Sequence, residues 1–136
     1  MLLTRASEYA LLSLLLLAKS DKPLDTETLS SELKISKSFL AKILQALARR
    51  KILNSYKGVN GGFSLARKME EISIFDIMES AEKKAPAVFD CSDSIESCPS
   101  QQASTCAIWP MINNLQGRID IFLKNISLKD ILEQES

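Results

Sequence analysis

The chain has no histidine, and this absence narrows its chemistry more than any residue it contains. Without imidazole there is no Ser-His-Asp or Cys-His nucleophile pair, no histidine-based zinc site and no general base of the usual kind, so a binding protein is expected rather than an enzyme. Cysteine is scarce, with three residues in 136. That is too few for a disulfide scaffold, and an odd number would strand one thiol in an oxidising compartment. The expected setting is therefore a reducing cytoplasm, with the thiols free or metal-bound. Four glycines and four prolines argue against a fibrous chain, and 46% apolar content argues against a disordered one. Long hydrophobic runs are missing too. The most extended, Ala10 to Ala18, spans nine residues, about half of what a membrane helix needs, so no membrane partner is expected. Glu8 cancels Arg5 ahead of that run, which argues against a secretory leader. The run reads instead as a helix with Thr4 as N-cap, buried in the core or between subunits.

Net charge is also absent, but the zero hides a division. Residues 1–68 carry 12 Lys and Arg against 5 Asp and Glu, whereas residues 69–136 carry 5 against 12. Between Lys34 and Lys68 there are nine basic residues and no acid. Such a block attracts a polyanion, or meets the acidic half of a neighbouring subunit.

Pro23 stops the first helix, and a second starts at Asp25 or Thr26 and runs to Lys34, with Leu29 and Leu33 on one face. A third helix is expected from an N-cap at Ser36 to about Lys51. Leu40, Ile43, Leu44 and Leu47 form its packing stripe, and Ser38, Lys42, Gln45 and Arg49 form the opposite one. Two short helices joined by a tight turn, the second rich in hydroxyls and cations along its open face, suit entry into the DNA major groove. Any amphipathic helical hairpin gives part of this pattern. The segment that follows adds to it: Leu53 to Lys57 and Phe63 to Arg67 flank a turn containing Asn60-Gly61, a β-hairpin tipped by Lys57. Behind a recognition helix such a hairpin is a wing. The DNA-contacting candidates are thus Ser36, Lys37, Ser38, Lys42, Gln45, Arg49, Lys57 and Asn60. A phosphate loop of a nucleotide enzyme is not supported, because no Gly-Lys-Ser or Gly-Lys-Thr ending follows the glycines.

A fourth helix opens with the Ser-x-x-Asp cap at Ser73 and runs to about Lys84. Residues Ala85 to Thr105 then lose all periodicity, and Cys91, Cys98 and Cys106 lie in or at the end of that stretch. Ile108, Ile112, Leu115, Ile119, Phe122 and Ile126 recur at heptad spacing, a seam that belongs on the chain's own domain or on a matching helix in a two-fold dimer. Ser127 to Asp130 caps a last short helix. The cysteine spacing, with six and then seven residues between, differs from that of zinc knuckles and ribbons and leaves no metal, zinc and an iron-sulfur cluster all open. Glu8 stands among Leu11, Leu12 and Leu15, where a buried carboxylate would need a partner, or it pairs with Arg5.

Leu3-Thr4 through Glu8-Tyr9-Ala10, the helix-turn-helix around Ile35 to Leu40, the wing Lys57 to Phe63, the cysteine stretch and Trp109 before a long helix together resemble the Rrf2 family of dimeric winged-helix transcription regulators. The resemblance covers nearly the whole chain. It implies a mainly α fold: a winged helix-turn-helix with a two-stranded β-hairpin wing and a long C-terminal dimerisation helix. The implied divisions are a DNA-binding domain over 1–84, a cluster-binding loop over 85–106 and dimerisation and terminal helices over 107–136. By the same resemblance Cys91, Cys98 and Cys106 match the family's cluster-binding cysteines, and Glu8 matches where some sensing members place an acidic ligand. Ser38, Lys42 and Lys57 fall at DNA-contacting positions. The implied function is a cytoplasmic homodimeric repressor of promoter DNA, controlled by an iron-sulfur cluster of two or four irons that senses nitric oxide, redox state or cluster supply. Two departures stand out: the cysteine spacing is wider than usual, and the histidine ligand found in one branch is missing, with Cys106 near its place. The alternatives are a DNA-binding thiol-disulfide or zinc switch, and a helical protein-interaction module with a basic face.

Overall fold

The structure, a computed structural model, describes residues 4–59, 61–87 and 107–135. The winged domain opens with α1 (Arg5–Lys19), α2 (Thr26–Leu33) and α3 (Lys37–Arg49), followed by β1 (Leu53–Tyr56) and β2 (Gly62–Leu65). A single 3-10 turn at Met69–Glu71 leads into α4 (Ile74–Glu82), and α5 (Trp109–Lys124) and α6 (Leu128–Glu135) complete the described residues. No helix among them is long and apolar enough to cross a membrane.

The expected caps set most helix starts. Thr4 accepts from Ser7 N–H, Asp25 from Thr28 N–H and Ser73 from Asp76 N–H, each satisfying a first-turn donor. At α6 the box is reciprocal: Asp130 N–H donates to Ser127 Oγ at 3.2 Å, and Ser127 N–H to Asp130 Oδ2 at 2.9 Å. Ser36 departs from expectation. Its hydroxyl makes no capping bond and instead lies 3.1 Å from Ser38 Oγ. Two helices also end earlier than periodicity suggests, α3 at Arg49 and α4 at Glu82, because Lys51 and Lys83 adopt left-handed backbone just beyond each end. After α3, Ile52 N–H reaches back to Leu47 O at 3.0 Å, closing the last turn.

The hairpin pairs antiparallel with Leu53 opposite Leu65 and Tyr56 opposite Gly62. Leu24 adds a one-residue third strand, exchanging two backbone hydrogen bonds with Phe63 at 3.1 and 2.7 Å. This close approach explains Gly62: its φ is +136°, and a Cβ there would fall 2.5 Å from the Leu24 carbonyl.

One core runs through the described residues. Leu14 of α1, Leu40, Leu44 and Leu47 of α3, Ile52, Ile72 and Ile77 are fully buried, and Leu123 of α5 and Leu128 of α6 belong to the same cluster. The C-terminal corner is stitched to the head of α4: Ile74 N–H donates to Ile126 O and Leu128 N–H to Ile72 O, both at 2.9 Å. Lys124 Nζ also lies 4.6 Å from the Phe75 ring centre.

The heptad seam on α5 does not act as one surface. Ile112 is buried and Ile119 and Ile126 pack against the core, whereas Ile108, Leu115 and Phe122 are exposed. The physical reason is rotation. A seam drawn at heptad spacing straddles two stripes offset by one residue, roughly 100° around the helix: Ile112, Gln116, Ile119 and Leu123 face the chain's own domain, while Met111, Leu115 and Phe122 face outward.

Candidate nucleic-acid interface

On α3 the packing stripe is buried as periodicity requires, and Ser38, Lys42, Gln45 and Arg49 all stand exposed on the opposite side with Lys37 beside them. Because Ser36 leaves the first turn without a side-chain cap, the N–H groups there are open to a phosphate, which the helix dipole favours. Lys37 lies 3.9 Å from Glu27, but both side chains are largely exposed and so weakly held. Lys57 is exposed directly after β1, at the wing. Asn60 lies outside the described residues.

Three further side chains share this surface. Phe39 is exposed at the start of α3, its ring edge-on to Tyr9 with centroids 5.6 Å apart. Tyr56 and Val59 are exposed on the wing, and Ser64 Oγ donates to Tyr56 Oη at 3.3 Å. An apolar residue off the packing stripe, as Phe39 is, was the available signal in the sequence.

The basic block divides by role. Arg50 pairs with Glu79 of α4. Arg67 donates to Arg50 O at 2.8 Å and Lys51 O at 3.2 Å, capping the C-terminal end of α3, and lies 3.8 Å from Asp76. These two cations clamp the recognition helix to α4. Lys34, Lys42, Arg49, Lys51, Lys57 and Lys68 are exposed and have no carboxylate partner among the described residues, leaving an uncompensated positive field.

Cys91, Cys98 and Cys106 lie outside the described residues, as does most of the aperiodic stretch, and no cluster of metal-binding side chains occurs among the described residues. Glu8 is exposed, so the desolvation expected among Leu11, Leu12 and Leu15 does not arise within one chain. The reason is that α1 buries Ala10, Leu14 and Leu17, and Glu8 lies off that face. Arg5 donates to Tyr9 Oη at 3.2 Å. This hydrogen bond, followed by the charges of Tyr9 and Glu8, holds the guanidinium above its ordinary pKa. Ser7, next to Glu8, is buried and donates to Glu82 Oε1 at 3.1 Å, tying the first turn of α1 to the end of α4. Gln116, buried on α5, donates to Pro86 O at 2.8 Å and to Asp120 Oδ1 at 2.7 Å.

Comparison with known proteins agrees with this geometry. A family model described as Rrf2, iron-dependent transcriptional regulator, matches residues 3–134. A helix-turn-helix-type transcriptional regulator of Aquifex aeolicus is 31% identical over 136 residues, covering 99% of this chain and 94% of the relative. The regulator IscR of Cereibacter sphaeroides is 26% identical over 141 residues, covering 99% and 89%. Among solved structures, CymR, the global cysteine regulator of B. subtilis, shares the fold with a TM-score of 0.73 at 17% identity, covering 96% and 95%. With a match over almost its entire length and a winged fold whose open helix face is cationic, the chain belongs to the Rrf2 family of DNA-binding transcription regulators and is not an enzyme.

Proposed function

We propose that the protein is a homodimeric repressor whose affinity for promoter DNA is set by an iron-sulfur cluster, with Cys91, Cys98 and Cys106 as thiolate ligands and Glu8 as an oxygen ligand. The observation that carries this reading is the Ser7 to Glu82 hydrogen bond. It sets the turn bearing Glu8 against the end of α4, only nine residues before Cys91. Glu8 is already in solvent, so its carboxylate is available to a ligand without breaking into the core. Three thiolates and one carboxylate suit iron-sulfur chemistry better than a hard cation, and the family's description as iron-dependent points the same way. When bound, the cluster would supply a redox-active centre, and Glu8 as a weaker oxygen ligand would leave it more open to nitric oxide or oxidants.

The chain's own residues supply the transmission. Gln116 fixes Pro86, at the root of the cysteine stretch, to the middle of α5. A ligand change in that stretch therefore bears on α4 at one end and on α5 at the other. Arg50 and Arg67 carry α4 to the recognition helix. The outward stripe of α5, Ile108, Met111, Leu115 and Phe122, is assigned to a second copy. A two-fold operator fixes half-site spacing at about 34 Å, so a small change in the angle between the two copies changes affinity.

Anaerobic purification with iron and acid-labile sulfide analysis tests the reading. The expected result is coloured protein that loses its chromophore when any cysteine becomes Ala. Glu8→Ala should still assemble, with an altered spectrum and lability, and each change should shift affinity for promoter DNA. Zinc without iron, or a disulfide without sulfide, would overturn the cluster. An unchanged spectrum and lifetime in Glu8→Ala would remove Glu8 from the ligand set.

A further inference from the structure

The C-terminal ends of α3 and α4 do not close on each other. Between them lies a cleft of about 310 Å³, lined by Arg49 and Arg50 from the end of α3 and by Glu79, Lys83 and Lys84 from the end of α4 and just beyond it. Its lining also includes Ala46 and Ser80, both buried and both too small to fill the gap between the helices. A second cleft of about 290 Å³ shares Arg50 and Ser80 and continues toward Arg67 and Asp76.

The charge in the first cleft is unbalanced. Four cations face one carboxylate, and that carboxylate is engaged by Arg50. Arg49, Lys83 and Lys84 have no acidic partner among the described residues. Like charges gathered around a concave, partly desolvated space repel one another, and a multiply charged anion placed there removes the repulsion. Arg50 presents a planar fork that takes carboxylate or phosphate equally well, and the Arg50 to Glu79 pair is half in solvent, so an incoming anion can replace Glu79 at modest cost. The volume is at the lower end for small-molecule sites and fits a molecule of metabolite size.

DNA backbone is the competing source of phosphate. Recognition helices read DNA mainly through their N-terminal half, and this cleft lies at the other end of α3, lined by Arg49 and Arg50. That position, away from the N-terminal half of α3, favours a free small molecule over a duplex.

We propose that the α3–α4 cleft binds a small metabolite bearing a phosphate or two carboxylates, held by Arg50, Lys83 and Lys84, with Arg49 at its rim. Its occupancy competes with the Arg50 to Glu79 clamp between the recognition helix and α4, so it adjusts DNA affinity through an input separate from the cysteines. The site does not depend on the cluster reading.

The test uses the full chain as purified, with pyrophosphate and citrate as probes at ionic strength held constant with sodium chloride. Calorimetry should give saturable binding of one probe molecule per protomer. Lys83→Gln with Lys84→Gln, which leaves the helix clamp intact, should weaken that binding at least tenfold. Glu79→Gln should tighten it, because the competing charge is gone while an amide remains to meet Arg50. Saturating probe should change the DNA dissociation constant at least threefold for the parent protein and not for the double variant. No saturable binding, or equal binding by parent and double variant, overturns the proposal. So does a double variant that loses about two from the salt slope of DNA binding while no probe binds, since that result assigns the lysines to DNA phosphates.

Discussion

Phe122→Ala separates the two stripes of α5, and its consequence can be worked from exposure. Phe122 is 64% exposed in one chain. A phenylalanine side chain offers roughly 200 Å², so in the proposed dimer about 130 Å² remains to be covered by the partner, worth about 3 kcal/mol at 25 cal/mol per Å². Two-fold symmetry counts the residue twice, and alanine retains about a third of the contact, leaving a loss of about 4 kcal/mol per dimer. That is roughly a thousandfold in the dimer dissociation constant. Sedimentation equilibrium measures it directly, and the melting temperature extrapolated to low protein concentration should scarcely move. Ile112→Ala is the contrasting change: Ile112 is 4% exposed and packs inward, so it should cost about 2–5 kcal/mol of folding stability. A dimer constant unchanged by Phe122→Ala, or a parent protein that is monomeric at micromolar concentration, would refute the assignment of the outward stripe to a second copy.

Lys57→Ala should weaken promoter binding and reduce the salt slope by about 0.9 if the amine meets phosphate, whereas Ser38→Ala or Lys42→Ala should cost about 1–3 kcal/mol at particular base pairs in a binding-site scan. Arg67→Met should lower stability in urea by about 1–2 kcal/mol, because two carbonyls at the end of α3 lose a charged donor. DNA affinity per folded molecule should be retained, and a loss of affinity at unchanged stability would return Arg67 to the DNA surface. The Thr28 side chain first, and then the Thr28 N–H, hydrogen-bond the Asp25 carboxyl and hold its pKa below the ordinary value, so the stability it gives α2 is present above the unfolded carboxyl pKa and is lost as pH falls through the lowered one. The protection factors of the α2 amides, which remove the intrinsic pH dependence of exchange, should therefore fall on acidification in the parent and stay flat over the same range in Asp25→Asn.

Local chemistry was legible in the sequence wherever a side chain acts on its own helix or turn. Thr4, Asp25, Ser73 and Ser127 cap as their spacing predicts, and β1 and β2 pair as the expected hairpin. Ser36 stands at the expected N-cap position but makes no capping bond, because its hydroxyl has a second local partner in Ser38, a competition that spacing does not rank. Tertiary partners were less accessible. Nothing in the basic block distinguishes Arg50 and Arg67 from Lys42 or Lys57, since the acids that claim them, Glu79 and Asp76, lie on α4 and meet them only once α4 has packed. The α5 seam divides between two faces for a related reason. Heptad spacing reports that a helix has an apolar side but not how many neighbours divide it, and here the chain's own domain takes the Ile112 side.

The same contacts that sequence could not supply decide where this molecule can flex. The recognition helix is bound to α4 by Arg50 and Arg67, α4 is bound at its head to the α5–α6 corner by the Ile74 and Leu128 hydrogen bonds, and Leu123 and Leu128 share the core of the winged domain. These elements move together. A change in the distance between two recognition helices therefore cannot arise from the wing swinging on α5 within one chain without breaking buried contacts, which would cost several kcal/mol. In the proposed dimer, the lower-energy route is for the outward stripe of α5 to shift against its mate while each protomer stays intact, as packed helices slide by one to two ångströms in other switches. Gln116 sits on the opposite stripe of the same helix, joined to the root of the cysteine segment. Under the proposed function, a ligand change at the cysteines reaches the dimer contact through the thickness of a single helix, and the sensor and the half-site spacing share α5 as their common element.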